Sequence, residues 1–284
     1  ELFLPQNEDN CEVIFDIQYM KNAYSQGLSH QLYTFTYEWN SYCPTSALAE
    51  SYYTKNGYPV SWNAETQLYE SADPAFDPTY PYKDRDPRLD QSIIMPGTDN
   101  GRGAIFLPSS SNHTGMKIRK WNDYTETEKN NSEHNIILIR FADVLLMRAE
   151  ALVESGTFDE AEVRGLIDRV RQRPSVMMPK VEDIEGTELD ANALRAIIRH
   201  ERRVEFAFEG TRVSDIRRWR IGPEVMTDAY GYKYQDVRLT PPKYIPYKVD
   251  TRSFNPNRDY LWPIPQNEIN TNPFINAPDQ NPGY

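Results

Sequence analysis

The sequence predicts a mainly α-helical protein: a tetratricopeptide-like helical scaffold packed against an irregular, loop-rich region with short strands. Three observations carry this. Between Asn135 and Trp219, apolar residues recur at three- and four-residue spacing in successive stretches, the pattern of amphipathic helices. Residues 20–125 hold few such periods and many Tyr, Pro, Asn, Ser and Asp, the composition of turns. The 21 Pro and 13 Gly, with 19 Tyr, 5 Trp and 11 Phe in 284 residues, describe a chain rich in loops and aromatic surface. The division falls at 134/135, with residues 1–134 the loop-rich, aromatic-rich region and residues 135–284 the helical region ending in a Pro-rich extended tail.

In order along the chain, CEVIFDIQY (11–19) alternates and is rich in β-branched and aromatic residues, which predicts a short strand. Within the irregular region, Asp86-Pro87-Arg88-Leu89 reads as a turn: Asp86 precedes proline and favours extended backbone, and Arg88 can pair with nearby acids. IILIRFADVLLMRAEALVESG is apolar on nearly every side from Ile136 to Leu152, which predicts one buried helix ended by Gly156. FDEAEVRGLIDRVRQR follows as a partner helix with Ala161, Leu166, Ile167 and Val170 inward, stopped at Pro174. Small residues at Ala149 and Ala161 around a glycine turn suit a tetratricopeptide-like pair. One pair cannot bury both its faces, so an upstream partner is expected.

Residues 175–189 read as an acidic linker, after which Asp190 can cap the central helix. That helix lies in ALRAIIRHERRVEFAFEGTRVSDIRRWR (193–220), where Leu194, Ile197, Ile198, Val204 and Phe208 form one stripe. Glu201 and Glu205 lie beside the stripe and must be paired there, with Arg140, Arg202, Arg212 and Arg217 as the available partners. Gly210 supplies a residue able to take φ > 0, and Thr211 can cap a second helix through Ile216 and Trp219. Residues 230–250 have hairpin character. Prolines 263, 265, 273 and 282 forbid a regular helix in the tail and favour an extended strap packed by Leu261, Trp262 and Ile264.

A net charge of −11 and a pI near 5.0 exclude a nucleic-acid partner, because phosphate binding needs a net basic face. Cys11 and Cys43 could form one disulfide or remain two thiols; both readings stay open. No catalytic residue, cofactor or metal is expected. HERRV, from His200, lacks the second histidine of a zinc helix, since position 204 is Val204, and no GxSxG surrounds a serine. GTDNGRG lacks the Lys-Ser/Thr of a phosphate loop and reads as a flexible turn. Asp73, Asp77, Asp84, Asp86 and Asp90 miss the EF-hand spacing and suit turns. The Arg/Glu lattice of the central stretch reads as a buried structural network rather than a site for an acidic ligand.

The pattern ERR-x-EF-x-x-EG-x-R-x-x-D-x-x-RW, from Glu201 to Trp219, resembles the hallmark segment of the SusD/RagB family, surface glycan-binding lipoproteins of Gram-negative outer membranes. Three further segments resemble the family and stand in its order. They are YKDRDPRLDQSIIMPG (82–97), the helix pair opening at Ile136, and the tail YLWPIPQNEINTNPFINAPDQNPGY (260–284). One departure is the inserted Ala277-Pro278, which should bulge locally. The resemblance implies a helical-repeat scaffold at the cell outer membrane that binds an oligo- or polysaccharide without breaking it. It also implies delivery to a SusC-like TonB-dependent transporter. The segment from Glu1 resembles the middle of family chains, so the export signal, lipid-bearing cysteine and first repeats are expected upstream.

Sugar rings offer apolar C–H faces and a hydroxyl rim, so a glycan site wants exposed Trp or Tyr flanked by polar groups. Residues 33–82 supply the most aromatics. Trp39, Tyr42, Tyr58 and Trp62 are the candidates, against the alternative that each is ordinary core. Trp121 and Tyr124, beside KIRKW, read as a packed strand with lysines reaching outward, and Trp219 and Trp262 as core. The rival function is a helical-repeat protein-interaction scaffold without its own glycan site. A glycosidase would instead need two carboxyl groups about 5–10 Å apart.

Overall fold

The computed structural model describes residues 2–123, 126 and 128–284. Its elements run β1 (Val13–Ile17), a π-helix (Thr34–Glu38), α1 (Ser46–Ser51), β2 (Val60–Asn63), β3 (Leu68–Ser71), α2 (Pro87–Ser92), β4 (Ile93–Ile94), β5 (Lys117–Ile118) and β6 (Ile136–Arg140). There follow α3 (Phe141–Glu154), α4 (Glu160–Arg171), α5 (Val181–Ile184), α6 (Ala191–Glu205), α7 (Thr211–Arg218), α8 (Gly222–Val225), β7 (Ala229–Tyr232), α9 (Tyr234–Val237), β8 (Pro246–Asp250) and α10 (Gln266–Thr271). These strands pair in antiparallel twos: β1–β6, β2–β3, β4–β5 and β7–β8. The architecture is thus mainly α with short strands, as the sequence predicts.

One core fills the space between α3, α4 and α6. Leu145, Leu146, Ala149 and Val153 of α3 meet Val163, Leu166, Ile167 and Val170 of α4 and Leu194, Ile197 and Ile198 of α6. Asp159 caps α4 by accepting from the N–H of Ala161 and Glu162, and Asp190 caps α6 by accepting from that of Ala193 at 2.8 Å. Inside α4 the inward position expected of Ala161 belongs to Val163; Ala161 faces solvent. The α6–α7 corner turns on Phe208 and Gly210, both left-handed at φ 65° and 80°. Gly210 is the residue before α7, and Thr211 is its first residue rather than its cap.

A second core is built from tyrosines. Tyr52, Tyr69, Tyr82, Tyr232 and Tyr244 pack with Leu89, Ile93, Met95 and Met116 beneath α1, the β2–β3 hairpin and β7. Buried phenols need partners. The hydroxyls of Tyr69 and Tyr232 lie 2.6 Å apart, Tyr69 also donates to Glu50, and Tyr82 meets Tyr232.

Four expectations are corrected. Ile136–Arg140 is a strand, paired with β1 across the 134/135 division, and the helix starts only at Phe141. A continuous apolar run has no period to distinguish the two, and here Glu12 of the paired segment satisfies the helix start. Its carbonyl accepts from Phe141 N–H and its carboxylate from Ala142 N–H. Nor is α3 apolar-covered all round, since Phe141, Val144 and Met147 stand exposed. Asp86-Pro87-Arg88-Leu89 opens α2, with Asp86 capping it and Pro87 at the first position where its missing N–H costs nothing. In the tail a regular helix does form: α10 fits between Pro265 and Pro273, while Leu261 and Trp262 are exposed. The inserted Ala277-Pro278 sits in a single 3₁₀ turn.

Candidate functional site

A charged lattice fixes the loop-rich region to the helices. Glu205 of α6 receives Arg140 at 2.8 Å, Arg88 at 2.9 Å and Arg173 at 2.6 Å. Glu201 receives Arg88 at 2.5 Å and Arg171 at 2.9 Å. Burial by itself would raise the Glu205 carboxyl, but the guanidiniums of Arg140, Arg173 and Arg88 outweigh it and hold it well below the usual range. Of the four expected partners only Arg140 contributes. Arg202 pairs instead with Asp143 at 2.8 Å and Asp215 at 3.0 Å, and Arg212 and Arg217 lie over the rings of Trp219 and Trp262. Arg88, Arg171 and Arg173 replace them. Lys120 does not reach outward: it is buried, donating to Glu209 at 2.8 Å and to the Glu205 carbonyl at 3.0 Å, with Trp121 buried beside it. Tyr124 lies outside the described residues.

The exposed aromatics are organised by the π-helix. Trp39 N–H donates to the Thr34 carbonyl at 2.9 Å, a five-residue step wider than an α-turn. Asn40 then takes φ 52°, and the N–H groups of Ser41 and Tyr42 return to the Phe35 carbonyl at 2.9 and 3.4 Å. The chain therefore doubles back and sets both Trp39 and Tyr42 against Phe35. Ring centroids lie 5.4 Å from Phe35 to Trp39, edge to face, and 5.8 Å from Phe35 to Tyr42. Trp39 is 51 % exposed and Tyr42 57 %. The turn is held from beneath: Thr36 hydroxyl donates to the Asn122 side chain at 2.7 Å, Asn112 donates to the Asn40 side chain at 3.0 Å, and the Cys43 thiol donates to the Asn40 carbonyl. Both cysteines are free thiols. Flat rings on a rigid turn can accept a flat apolar ligand without first being ordered.

The other two candidates are held elsewhere. Tyr58 is half-buried in the 54–58 turn, whose Gly57 backs onto Ile184. Trp62 of β2 is half-buried, 5.2 Å from the Tyr69 ring and against the tyrosine core. Trp219 is half-buried and donates its indole N–H to Glu150 at 2.6 Å. Trp262, expected as core, is 68 % exposed, with the Arg217 guanidinium 4.0 Å from its ring. Sequence reasoning missed Phe35 as the ring that contacts both Trp39 and Tyr42, and missed the Tyr33–Tyr37 stack with its cations. Centroids of that stack lie 5.6 Å apart, the Tyr33 hydroxyl donates to Glu38 at 2.7 Å, and burial pushes this phenol up to about 12. No spacing signals a π-turn, so the sequence held no cue to this arrangement.

Asp73 and Asp77 serve turns, accepting from the N–H of Ala75 and Thr79, while Asp86 caps α2 by accepting from that of Arg88. Among the described residues no group of three His, Cys, Asp or Glu side chains is gathered as a metal ion would need, and no helix is long and apolar enough to cross a membrane.

The SusD family profile matches residues 11–284. SusD-like protein P2 of Formosa agariphila is 34 % identical over 171 residues, covering 59 % of this chain and 30 % of that protein. SusD-like protein P38 of the same organism is 30 % identical over 224 residues, covering 78 % and 39 %. A SusD-like protein from Bacteroides fragilis superposes with a TM-score of 0.77 at 29 % identity, covering 100 % of this chain and 56 % of the other. A SusD-like carbohydrate-binding protein from the same species gives 0.76 at 33 % identity, covering 95 % and 55 %. The chain thus spans less than half the length of these curated relatives and just over half of these solved ones. It belongs to the SusD family.

Proposed function

We propose that this protein binds an oligo- or polysaccharide without cleaving it, on the surface that Trp39 and Tyr42 present, with Tyr58 and Trp62 as outlying candidates. The observation that carries the reading is the exposed ring pair fixed by the π-turn, and the carbohydrate-binding relative from Bacteroides fragilis supports it. In this reading residues 1–134 supply the binding surface and residues 135–284 the frame. The protein acts at the outer-membrane surface, anchored through a lipid, and hands its ligand to a SusC-like TonB-dependent transporter. These last points follow the family resemblance.

Alanine at Trp39, Tyr42, Tyr58 and Trp62 in turn, read by retardation in polysaccharide-containing native gels, maps the surface. Retardation should be lost at Trp39 and Tyr42; retention in both variants excludes this surface. Reducing sugar released during incubation contradicts the non-catalytic reading. Co-purification with the co-expressed transporter tests the partner, and its failure removes that part alone. A second reading, a protein-interaction scaffold, is favoured by the exposed apolar flank Phe141, Val144 and Met147 of α3.

A further inference from the structure

The π-helix that leads into Trp39 also carries Tyr37, and two cations lie over its ring. The Arg102 guanidinium lies 4.8 Å and the Lys117 ammonium 4.2 Å from the centroid of Tyr37, both within cation–π range. Tyr37 is two residues before Trp39, so no more than about 7 Å of backbone separates them. Among the described residues, the hydrogen bonds of both cations go to neutral oxygens. Arg102 donates to the Tyr33 hydroxyl at 2.6 Å and the Glu126 carbonyl at 2.5 Å, and Lys117 to the Tyr37 carbonyl at 2.9 Å. Glu38, on the same π-helix, is engaged by the Tyr33 hydroxyl.

We propose that the Arg102–Lys117 pair receives the oxyanion of an acidic sugar, a uronate carboxylate or a sulfate ester, while the neighbouring rings take that glycan's C–H faces. The inference rests on the glycan-binding reading and narrows its ligand. Elsewhere in the molecule, buried cations such as Arg88, Arg140 and Lys120 are matched by carboxylates. Buried Arg85 likewise donates to backbone carbonyls, but Arg102 is exposed and Lys117 only half-buried, so the charge of this pair can be met by an anion arriving from solvent. Burial lowers the Lys117 ammonium; Glu38 opposes that and Arg102 adds to it. A planar guanidinium offers two parallel N–H groups to a carboxylate or sulfate, and the ammonium adds a point charge. Net charge −11 repels a densely charged polymer such as nucleic acid, but beyond a Debye length of about 8 Å that field is screened. A glycan with one oxyanion every few rings therefore meets the local pair rather than the global field.

The test is calorimetric titration of the chain against a panel of uronate-bearing oligosaccharides, each beside its carboxyl-reduced form, and of sulfated ones beside their desulfated forms. At least one acidic form should bind about tenfold or more tightly than its neutral twin, and that margin should shrink as salt rises from about 20 to about 300 mM. Whichever twin pair shows the margin identifies the carboxylate or the sulfate as the ligand group. Arg102→Gln, on an exposed side chain, should cut the margin at an unchanged urea midpoint, and Arg102→Gln with Lys117→Gln should abolish it. Equal binding of the twins, or a margin that survives Arg102→Gln, overturns the proposal. Binding confined to neutral glycans also overturns it while leaving the ring surface standing; a panel on which nothing binds contradicts both.

Discussion

Glu205 gathers three guanidiniums at one buried carboxylate, and the value of that arrangement lies in what its loss exposes. Replacing it by Gln leaves Arg88, Arg140 and Arg173 facing a neutral amide, so Glu205→Gln should destabilise the fold by about 3–5 kcal/mol in urea unfolding. A loss below about 1 kcal/mol would mean that the lattice is not a structural clamp. His134 supplies a second residue-scale expectation. It is buried against His30 at 4.5 Å between centroids, and burial, with the charge of His30, pushes it down to about 3 while Asp123 opposes. Below the ordinary imidazole value the unfolded chain takes up a proton that the folded one refuses. Its contribution is therefore intact above about pH 6.5 and is lost progressively as pH falls towards 3. His30 and His200 shift the same way, and protonation of Glu201 and Glu205 adds to the loss only below about pH 4.5. His134→Gln should remove up to about 1.4 kcal/mol per pH unit from the slope of unfolding free energy between about pH 6 and 5. An unchanged slope there rules out His134 as the source.

At the scale of elements, the β7–β8 hairpin is pressed against the 112–115 loop. A Cβ at Gly231 would stand 2.6 Å from the Thr114 Cα, and Tyr232 N–H donates to the Thr114 carbonyl at 2.9 Å. Since the obstacle is backbone, Gly231→Ala should cost about 2 kcal/mol or more and lower the thermal midpoint, whereas Gly165→Ala, in open space on α4, should leave it level or raise it. Equal midpoints for the two variants would contradict that packing. The legibility of the elements followed the same physics. Helix α6 was readable because Leu194, Ile197, Ile198 and Val204 repeat at helical spacing beside a capping Asp190. Ile136–Arg140 was not, because an unbroken apolar run carries no period, and its strand character is decided by pairing with β1, far away in sequence. The need for partners at Glu201 and Glu205 was visible in the sequence, but Arg88 approaches from 113 residues away, beyond any local spacing.

For the molecule as a whole, two cores joined by the buried charge lattice carry an aromatic layer whose members differ little in sequence and greatly in burial. Tyr52, Tyr69 and Tyr232 are interior because their hydroxyls find partners there; Trp39 and Tyr42 are exterior because a π-turn with a left-handed Asn40 lifts them. Tyrosine in a loop-rich segment suits either fate, so four candidate rings could be named but not ranked. The central claim is that this fixed ring pair is where a glycan lies. Isothermal titration of the parent chain and of the Trp39→Ala/Tyr42→Ala double variant against one glycan panel tests it most directly. The account predicts that the parent binds at least one glycan and that the double variant, with an unchanged urea midpoint, binds it about tenfold or more weakly. Undiminished binding by the double variant, or no binding by the parent across the panel, would contradict it.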